Sequence, residues 1–321
     1  MQYQAPRWLP GGHAQTIWPA LRAINTGGPP LAWRRERWGT PDGDFVDVDW
    51  LDAAEPDAPL LVLFHGLEGS RESHSSKAFA TVARSRGWRF ALPHFRGCSG
   101  ELNLAPRAYH SGDFEEIAWM LDRFRAAHEG PIVAAGVSLG GNALLRWAEE
   151  HGQSAGATVR AVASVCSPID LAAAGHAIDH GVNHLFYARM FLRSMVPKAL
   201  RKLEQFPGLF DGERLRQARD LYSFDNLFTA PLHGFRDTED YWARASAKPH
   251  LKQIRIPALV LNARNDPFVP PQSLPRQSDV GEFVTLWQPA QGGHVGFATG
   301  KPPGHVFSMP EQVCAWLERV L

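Results

Sequence analysis

Continuous apolar runs of strand length alternate along this chain with longer segments whose apolar residues recur every three or four positions. A run such as Pro59–His65 (PLLVLFH) has no polar face, which is typical of a strand covered on both sides of a sheet. In Asp113–His128 the residues Ile117, Leu121 and Phe124 fall on one side, which predicts an amphipathic helix. This alternation predicts an α/β protein with a doubly wound, mostly parallel sheet.

The same criteria assign the other elements. Further strands are predicted at Trp88–Phe95, Pro131–Val137, Ala161–Cys166, Ala258–Asn262 and Phe283–Gln288. Further helices are predicted at Ser73–Arg86, Leu139–Glu150 and Glu311–Leu321. Upstream, polar and apolar residues alternate in Ala32–Trp38 and Phe45–Leu51, and the turn sequence GTPDGD joins the two segments. That pattern predicts an antiparallel hairpin at the edge of the sheet.

One long segment interrupts the alternation between the predicted strands Ala161–Cys166 and Ala258–Asn262. It is rich in aromatic and basic residues, and a structureless loop of about ninety residues is improbable in a compact domain. We therefore expect residues 171–250 to form a helical cap inserted into a core of residues 1–170 and 251–321. Helices that merely cover one face of the sheet are the alternative.

Composition excludes several classes of protein. Apolar residues make up 44% of the chain and charged residues 21%, as in ordinary globular proteins. Lys and Arg equal Asp and Glu at 33 each, so net charge gives no reason to expect a nucleic-acid partner. The three cysteines are too few for a disulfide framework or a zinc site. Without a signal-peptide pattern or a membrane-length apolar run, we expect a cytoplasmic protein with no integral membrane segment, of undetermined oligomeric state.

Residues 136–140 read GVSLG, a G-x-S-x-G pattern that lies between a predicted buried strand and a predicted helix. The pattern alone is weak, and its strand-turn-helix context makes it informative. Glycines on both sides of the serine allow a sharp turn that lifts the hydroxyl of Ser138 above the sheet edge. The sequence therefore predicts Ser138 as a nucleophile, with an ordinary tight turn as the alternative.

A serine nucleophile needs a base, and histidine suits this role because it titrates near neutrality. His294 is the best placed, in a glycine-rich loop after the last predicted strand, and His305 is the nearest alternative. The imidazole in turn needs a carboxylate to hold its tautomer. Asp266 follows the predicted strand Ala258–Asn262 and is the first choice. Asp170 is the second, and its residue type suits a helix N-cap equally well.

Acyl transfer also requires N–H donors for the developing oxyanion. The backbone N–H of Leu139, the residue after the predicted nucleophile, is one, and the loop after the first parallel strand supplies the N–H of Leu67 as the other. His65 in that loop is expected to bond the backbone, and a thiol nucleophile at Cys98 remains an alternative. The chain has no phosphate-binding loop and no metal-ligand motif, so no cofactor or metal is expected.

Seven short motifs support a family resemblance: GGHAQT at 11–16, HGL at 65–67, FRGCSG at 95–100, YHSG at 109–112, GVSLGGN at 136–142, TAP at 229–231 and GHVGF at 293–297. Together they resemble the α/β-hydrolase superfamily, and within it the bacterial YheT-like esterases and their eukaryotic ABHD-type relatives. The resemblance implies the α/β-hydrolase fold and a triad of Ser138, Asp266 and His294 in that chain order. Many relatives read Asp-Asp-Pro where this chain has Asn265 before Asp266. No chemical role follows for His13 or YHSG, for which local structural roles are expected.

These observations predict a serine hydrolase that cleaves a small-molecule or lipid-like carboxylic ester through an acyl-enzyme. An acyltransferase that uses an alcohol in place of water is the first alternative, because a cap rich in aromatic residues would keep the cleft dry. A non-enzymatic binding protein on a hydrolase scaffold is the second.

Overall fold

The computed structural model describes all 321 residues, and one eight-stranded sheet lies at its centre. The strands are β1 Arg34–Gly39, β2 Phe45–Leu51, β3 Leu60–Phe64, β4 Arg89–Pro93, β5 Ile132–Val137, β6 Val162–Val165, β7 Ala258–Leu261 and β8 Val284–Trp287. Their order across the sheet is β1-β2-β4-β3-β5-β6-β7-β8. The pairs β1–β2 and β2–β4 are antiparallel, and every other pair is parallel. The predicted mostly parallel sheet with an antiparallel hairpin at its edge is confirmed.

Thirteen α-helices surround the sheet. They are α1 Gly11–Leu21, α2 His74–Ser85, α3 Phe114–Ala127, α4 Leu139–His151, α5 Ala155–Thr158, α6 Leu171–Ile178, α7 Gly181–Asn183, α8 Arg189–Gln205, α9 Gly212–Arg216, α10 Leu221–Phe224, α11 Ala230–Leu232, α12 Thr238–Ala245 and α13 Ser308–Leu317. Segments of π-helix cover His184–Ala188 and Asp225–Thr229. Short 3₁₀ segments cover Gly152–Ser154, Lys248–Gln253, Pro271–Ser273, Gln277–Asp279 and Glu318–Val320. No helix combines the length and the apolar character needed to cross a bilayer.

The alternation of side chains along β3 explains why this strand has no polar face. Leu60, Val62 and Phe64 belong to the apolar cluster on one side of the sheet, where α3 and α4 pack. Leu61 and Leu63 belong to the cluster on the other side, where α2 and α13 pack. Because successive strand side chains point to opposite faces, a strand covered on both faces must be apolar throughout.

Helix α1 was not predicted from the sequence. It begins with two glycines, contains Pro19 and has no side-chain N-cap, so local propensity does not favour it. It is anchored by distant contacts instead, because the side chain of Gln15 is fully buried and bonds to residues more than two hundred positions away. Tertiary packing therefore stabilises a helix that its own sequence would not.

Helices α6 to α12 follow one another between β6 and β7 without any intervening strand. Their aromatic and aliphatic side chains form an apolar cluster of their own, which includes Tyr187, Phe224 and Phe228 and extends to Phe268 beyond β7. A buried polar contact also joins this segment to the rest of the protein. Nζ of Lys202 donates to the backbone oxygens of Asn103 and Ala105, in the loop before α3. The segment between β6 and β7 is therefore helical, as predicted.

The register of the parallel strands brings their carboxyl ends to one edge. Val137 of β5 pairs with Val165 of β6, Val165 pairs with Leu261 of β7, and Leu261 pairs with Trp287 of β8. On the other side, Phe64 of β3 pairs with residue 136 of β5. Loops that are far apart in the sequence therefore leave the sheet side by side, as ligand-binding loops do in open α/β sheets.

Candidate active site

A sharp turn between β5 and α4 presents Ser138 at this edge. The serine has φ of 53° and ψ of −121°, and α4 begins at the next residue. A Cβ on Gly136 would lie 2.5 Å from the oxygen of Gly140, and a Cβ on Gly140 would lie 2.5 Å from the oxygen of His65. Glycine is therefore required on both sides of the serine, because any side chain there would collide with backbone.

The imidazole of His294 lies within hydrogen-bond distance of Ser138 on one side and of Asp266 on the other. Nε2 of His294 is 3.0 Å from Oγ of Ser138, and Nδ1 of the same ring is 2.8 Å from Oδ2 of Asp266. The carboxylate is sealed from solvent, and its other oxygen accepts the N–H of Phe268 at 2.8 Å. Since a carboxylate only accepts, the ring proton belongs on Nδ1, and the lone pair of Nε2 faces the serine hydroxyl.

Two backbone N–H groups adjoin the serine without an acceptor in the protein. One belongs to Leu139 at the start of α4, and the other belongs to Leu67 in the loop after β3. A Cβ on Gly66 would lie only 3.2 Å from Cβ of Ser138, so this loop passes directly over the serine. Both leucines line the same cavity as Ser138 and His294. Unpaired donors at a helix N-terminus are suited to negative charge.

The loop that carries Leu67 is held in a strained conformation. Glu68 has φ of 55°, a region that residues with a Cβ seldom adopt. The hydroxyl of Tyr109 accepts the N–H of Glu68 at 2.9 Å and donates to Oε1 of its carboxylate at 2.8 Å. From the helical segment, Nζ of Lys198 lies 2.6 Å from the same oxygen. Tyr109 therefore has a structural role that the YHSG motif alone did not reveal.

Asn142, one turn into α4, anchors the serine turn to two other segments. Its Nδ2 donates to the oxygens of Ser111 and Ala245, at 2.8 Å each, and its Oδ1 accepts the N–H of Ala247 at 3.1 Å. The side chain is completely buried, and both of its polar atoms have hydrogen-bond partners. Such a network keeps the start of α4 in place.

A second set of positioning contacts, which sequence reasoning missed, comes from α1. Oε1 of Gln15 accepts both Nδ2 of Asn265 and the N–H of Gly292, at 2.9 Å each. Oγ1 of Thr16 accepts the N–H of His294 at 2.9 Å. Oδ1 of Asn265 accepts the N–H of Gly293 at 3.0 Å. Helix α1 thus holds together the two loops that carry Asp266 and His294.

These contacts use both polar atoms of the Asn265 amide. The side chain donates to Gln15 and accepts from Gly293, and a carboxylate could only accept. The motif GGHAQT at 11–16 contains Gln15 and Thr16. Nothing local could assign its partners, because they lie about 250 positions further along the chain.

The other residues that the sequence singled out make structural contacts. Asp170 is the N-cap of α6 and accepts the N–H of Ala173. His305 packs its ring on Phe307 and contacts Thr299. His65 accepts the N–H of Phe95 on Nε2, and burial lowers its pKa to about 3. Burial raises the pKa of the Cys98 thiol to about 11, which leaves almost no thiolate at neutral pH.

A mostly apolar cavity opens above Ser138. Its volume is about 140 Å³, close to the volume that accommodates benzene in an engineered protein core. The helical segment supplies much of the apolar lining: Leu171, Ile178, Phe191, Met195, Phe224, Phe228 and Trp242. The core supplies Phe268, whose ring centroid lies 4.2 Å from that of His294. The cavity can therefore hold a small hydrocarbon group beside the serine.

Comparison with known proteins agrees with this architecture. The sequence model described as "alpha/beta hydrolase fold" matches residues 59–301. The protein named "Putative esterase YheT" of Escherichia coli (strain K12) is 37% identical over 90% of this chain and 84% of its own length. Phospholipase ABHD3 of Mus musculus is 29% identical over 99% of this chain and 76% of its own length. The solved structure of Est1E from Butyrivibrio proteoclasticus, at 15% identity and a TM-score of 0.56, covers 89% of this chain and 98% of its own. These findings confirm the expected fold.

Proposed function

Because this chain belongs to the α/β-hydrolase family, we propose that it is a carboxylic ester hydrolase whose nucleophile, base and acid are Ser138, His294 and Asp266. The observation that carries the proposal is the continuous chain of hydrogen-bond contacts from the serine hydroxyl through the imidazole to the carboxylate, at 3.0 Å and 2.8 Å. Relatives named as a phospholipase and as a monoacylglycerol lipase support a hydrolase that acts on esters.

In the proposed mechanism, Oγ of Ser138 attacks the ester carbonyl carbon while Nε2 of His294 takes the hydroxyl proton. The carbonyl electron pair moves onto its oxygen, and the N–H groups of Leu67 and Leu139 stabilise that oxyanion. The tetrahedral intermediate collapses, and the imidazolium protonates the departing alcohol. Water then attacks the acyl-enzyme by the same route and releases the acid. Asp266 keeps the imidazole oriented and stabilises its cationic form.

The cavity supports an ester with a compact hydrocarbon acyl group as the substrate. Its lining is mostly apolar, and buried apolar surface stabilises such a group by about 25 cal/mol per Å². We further propose that residues 171–250 act as a cap over a core of residues 1–170 and 251–321. The aromatic residues that the helices contribute to the cavity support this division.

Acyl transfer to an alcohol is the second candidate, and the aromatic lining of the cavity favours it. Phe191, Phe224 and Phe228 would limit the access of water to the acyl-enzyme. Product analysis with added ethanol distinguishes the two activities, because a hydrolase yields free acid and a transferase yields the ethyl ester. Free acid as the sole product excludes transfer.

The test of the triad is hydrolysis of p-nitrophenyl butyrate by wild type and by Ser138→Ala, with exposed Ser154→Ala as the matched control. We expect Ser138→Ala to lose about 10⁴-fold or more in kcat and Ser154→Ala to retain full activity. A fluorophosphonate should label wild type at Ser138. Equal rates for wild type and Ser138→Ala would refute the proposal.

A further inference from the structure

Two helical segments carry most of the large apolar side chains that the protein exposes. The chain has eleven such side chains. Four lie on or just after α1, namely Ile17, Trp18, Leu21 and Ile24. Four lie between α7 and the start of α8, namely Val182, Leu185, Phe186 and Met190. We refer to these eight residues as the apolar rim. Exposed apolar residues that cluster in this way mark an interaction surface.

The two halves of the apolar rim adjoin one another. Nδ1 of His13 on α1 lies 3.1 Å from the hydroxyl of Tyr187, and the two rings stack at an interplanar angle of 9°. His13, Ile17 and Leu21 are four residues apart, so they share one face of α1. Met190 lies three positions after Tyr187 on the neighbouring helix. The two halves of the rim therefore lie on two helical segments that contact each other directly.

The apolar rim also lies beside the candidate active site. The ring of Tyr187 packs against that of Phe268 with centroids 4.5 Å apart, and Phe268 packs against His294. Phe191 and Met195, on the same helix as Met190, line the cavity. One side of this helix faces the cavity, and its other side is open to solvent.

The two stretches of chain that carry the apolar rim contain basic residues and no acidic ones. Residues 11–25 and 181–203 contain no aspartate and no glutamate. They contain four exposed arginines, none of which forms a salt bridge: Arg22, Arg189, Arg193 and Arg201. The whole chain has equal numbers of acidic and basic residues, so this concentration of positive charge is local and was invisible in the overall composition.

We propose that the apolar rim docks the protein on an anionic lipid bilayer. Apolar helix faces insert at the boundary between headgroups and acyl chains, and flanking arginines bind lipid phosphates. A second copy of the chain fits this surface less well, because a symmetric interface would place the unpaired arginines of both copies against each other. Docking would bring the helix that lines the cavity with Phe191 and Met195 against the bilayer surface.

Sedimentation of the full chain with vesicles tests this proposal. Wild type should bind vesicles of phosphatidylcholine with phosphatidylglycerol, should bind vesicles of phosphatidylcholine alone more weakly, and should dissociate as salt is raised. The double change Leu185→Ser with Phe186→Ser should lower the partition coefficient by about tenfold or more. Arg189→Gln and Arg193→Gln should each lower it by about fivefold on anionic vesicles.

Leu104→Ser is the matched control, because Leu104 is 59% exposed and lies outside the apolar rim. It should bind like wild type. Absence of wild-type binding to anionic vesicles, or equal loss in the Leu104 control, would overturn the proposal. So would a dimer in light scattering that the Leu185 and Phe186 changes abolish, since the rim would then bind a second copy. Hydrolysis of dissolved p-nitrophenyl butyrate should stay at the wild-type rate in every rim variant, so docking fails or succeeds independently of the proposed activity.

Discussion

Replacing Thr16 by valine removes a single hydroxyl from the support of the loop that carries His294. In wild type this hydroxyl accepts the N–H of His294 at 2.9 Å and donates to the oxygen of Gly12 at 2.7 Å. Thr16 is buried, so water cannot readily replace the lost partner. The substitution leaves a backbone donor unpaired next to the imidazole, while valine keeps the side-chain shape.

The size of the effect follows from that unpaired donor. A buried donor without an acceptor costs about 1–3 kcal/mol. If the loop relieves this cost by moving His294 away from Ser138, the same energy is lost from the transition state. The value of kcat/KM would then fall by about 5- to 150-fold. Thr16 does not line the cavity, so we expect the fall in kcat, with KM nearly unchanged.

The assay combines steady-state hydrolysis of p-nitrophenyl butyrate with urea unfolding of each variant. Thr16→Ser keeps the hydroxyl and should retain near wild-type kcat. Thr81→Val is the matched control, because the buried hydroxyl of Thr81 has no hydrogen-bond partner and its loss should leave both activity and stability intact. A Thr16→Val enzyme that is destabilised yet has wild-type kcat would refute the positioning role, because the hydroxyl would then support the fold alone.

Three further outcomes are expected. Tyr109→Phe removes the hydroxyl that braces Glu68 on both its N–H and its carboxylate, so kcat should fall about tenfold, and an unchanged kcat would contradict this. Gly296→Ala would place a Cβ 1.7 Å from a backbone oxygen of α1 and should cost about 3 kcal/mol in urea unfolding. Gly39→Ala, which has open space around it, should cost far less. Burial raises the pKa of Cys98 to about 11, so iodoacetamide at pH 8 should alkylate it at least about a hundredfold more slowly in native than in unfolded protein. Similar rates would contradict the burial.

The proximity of Ser138, Asp266 and His294 could be predicted because each residue has a local sequence signal and the parallel sheet brings their loops to one edge. The ends of strands β5, β7 and β8 can be recognised in the sequence, because each strand is an apolar run of limited length. Ser138, Asp266 and His294 each follow one of these ends. Parallel pairing then aligns the ends at one edge, without any information about side-chain contacts. Strand pattern and chain order were therefore enough to nominate three residues that the fold brings within hydrogen-bond distance.

The contacts that hold the loops of the site in place could not be predicted, because they join residues that are far apart in the sequence. The amide of Gln15 acquires its partners only after residues 265 and 292 have been brought to it by the folded sheet. The apolar rim was equally hidden, because Leu185 and Phe186 read as core residues in a sequence and only the fold shows them exposed. Burial and long-range pairing are properties of the assembled structure, so they leave little local pattern.

The distribution of backbone strain ties these supports to the site. Five residues other than glycine have positive φ, and all follow the carboxyl ends of β3, β5, β6 and β8: Glu68, Ser138, Cys166, Val295 and Phe297. Strained positions of this kind cost about 1–3 kcal/mol each, so together they cost an amount comparable to the net stability of a domain. They persist only if surrounding contacts determine them, as Tyr109 does for Glu68. Removing such a brace should therefore release the loop into an ordinary conformation and lower catalysis, while the sheet itself remains folded.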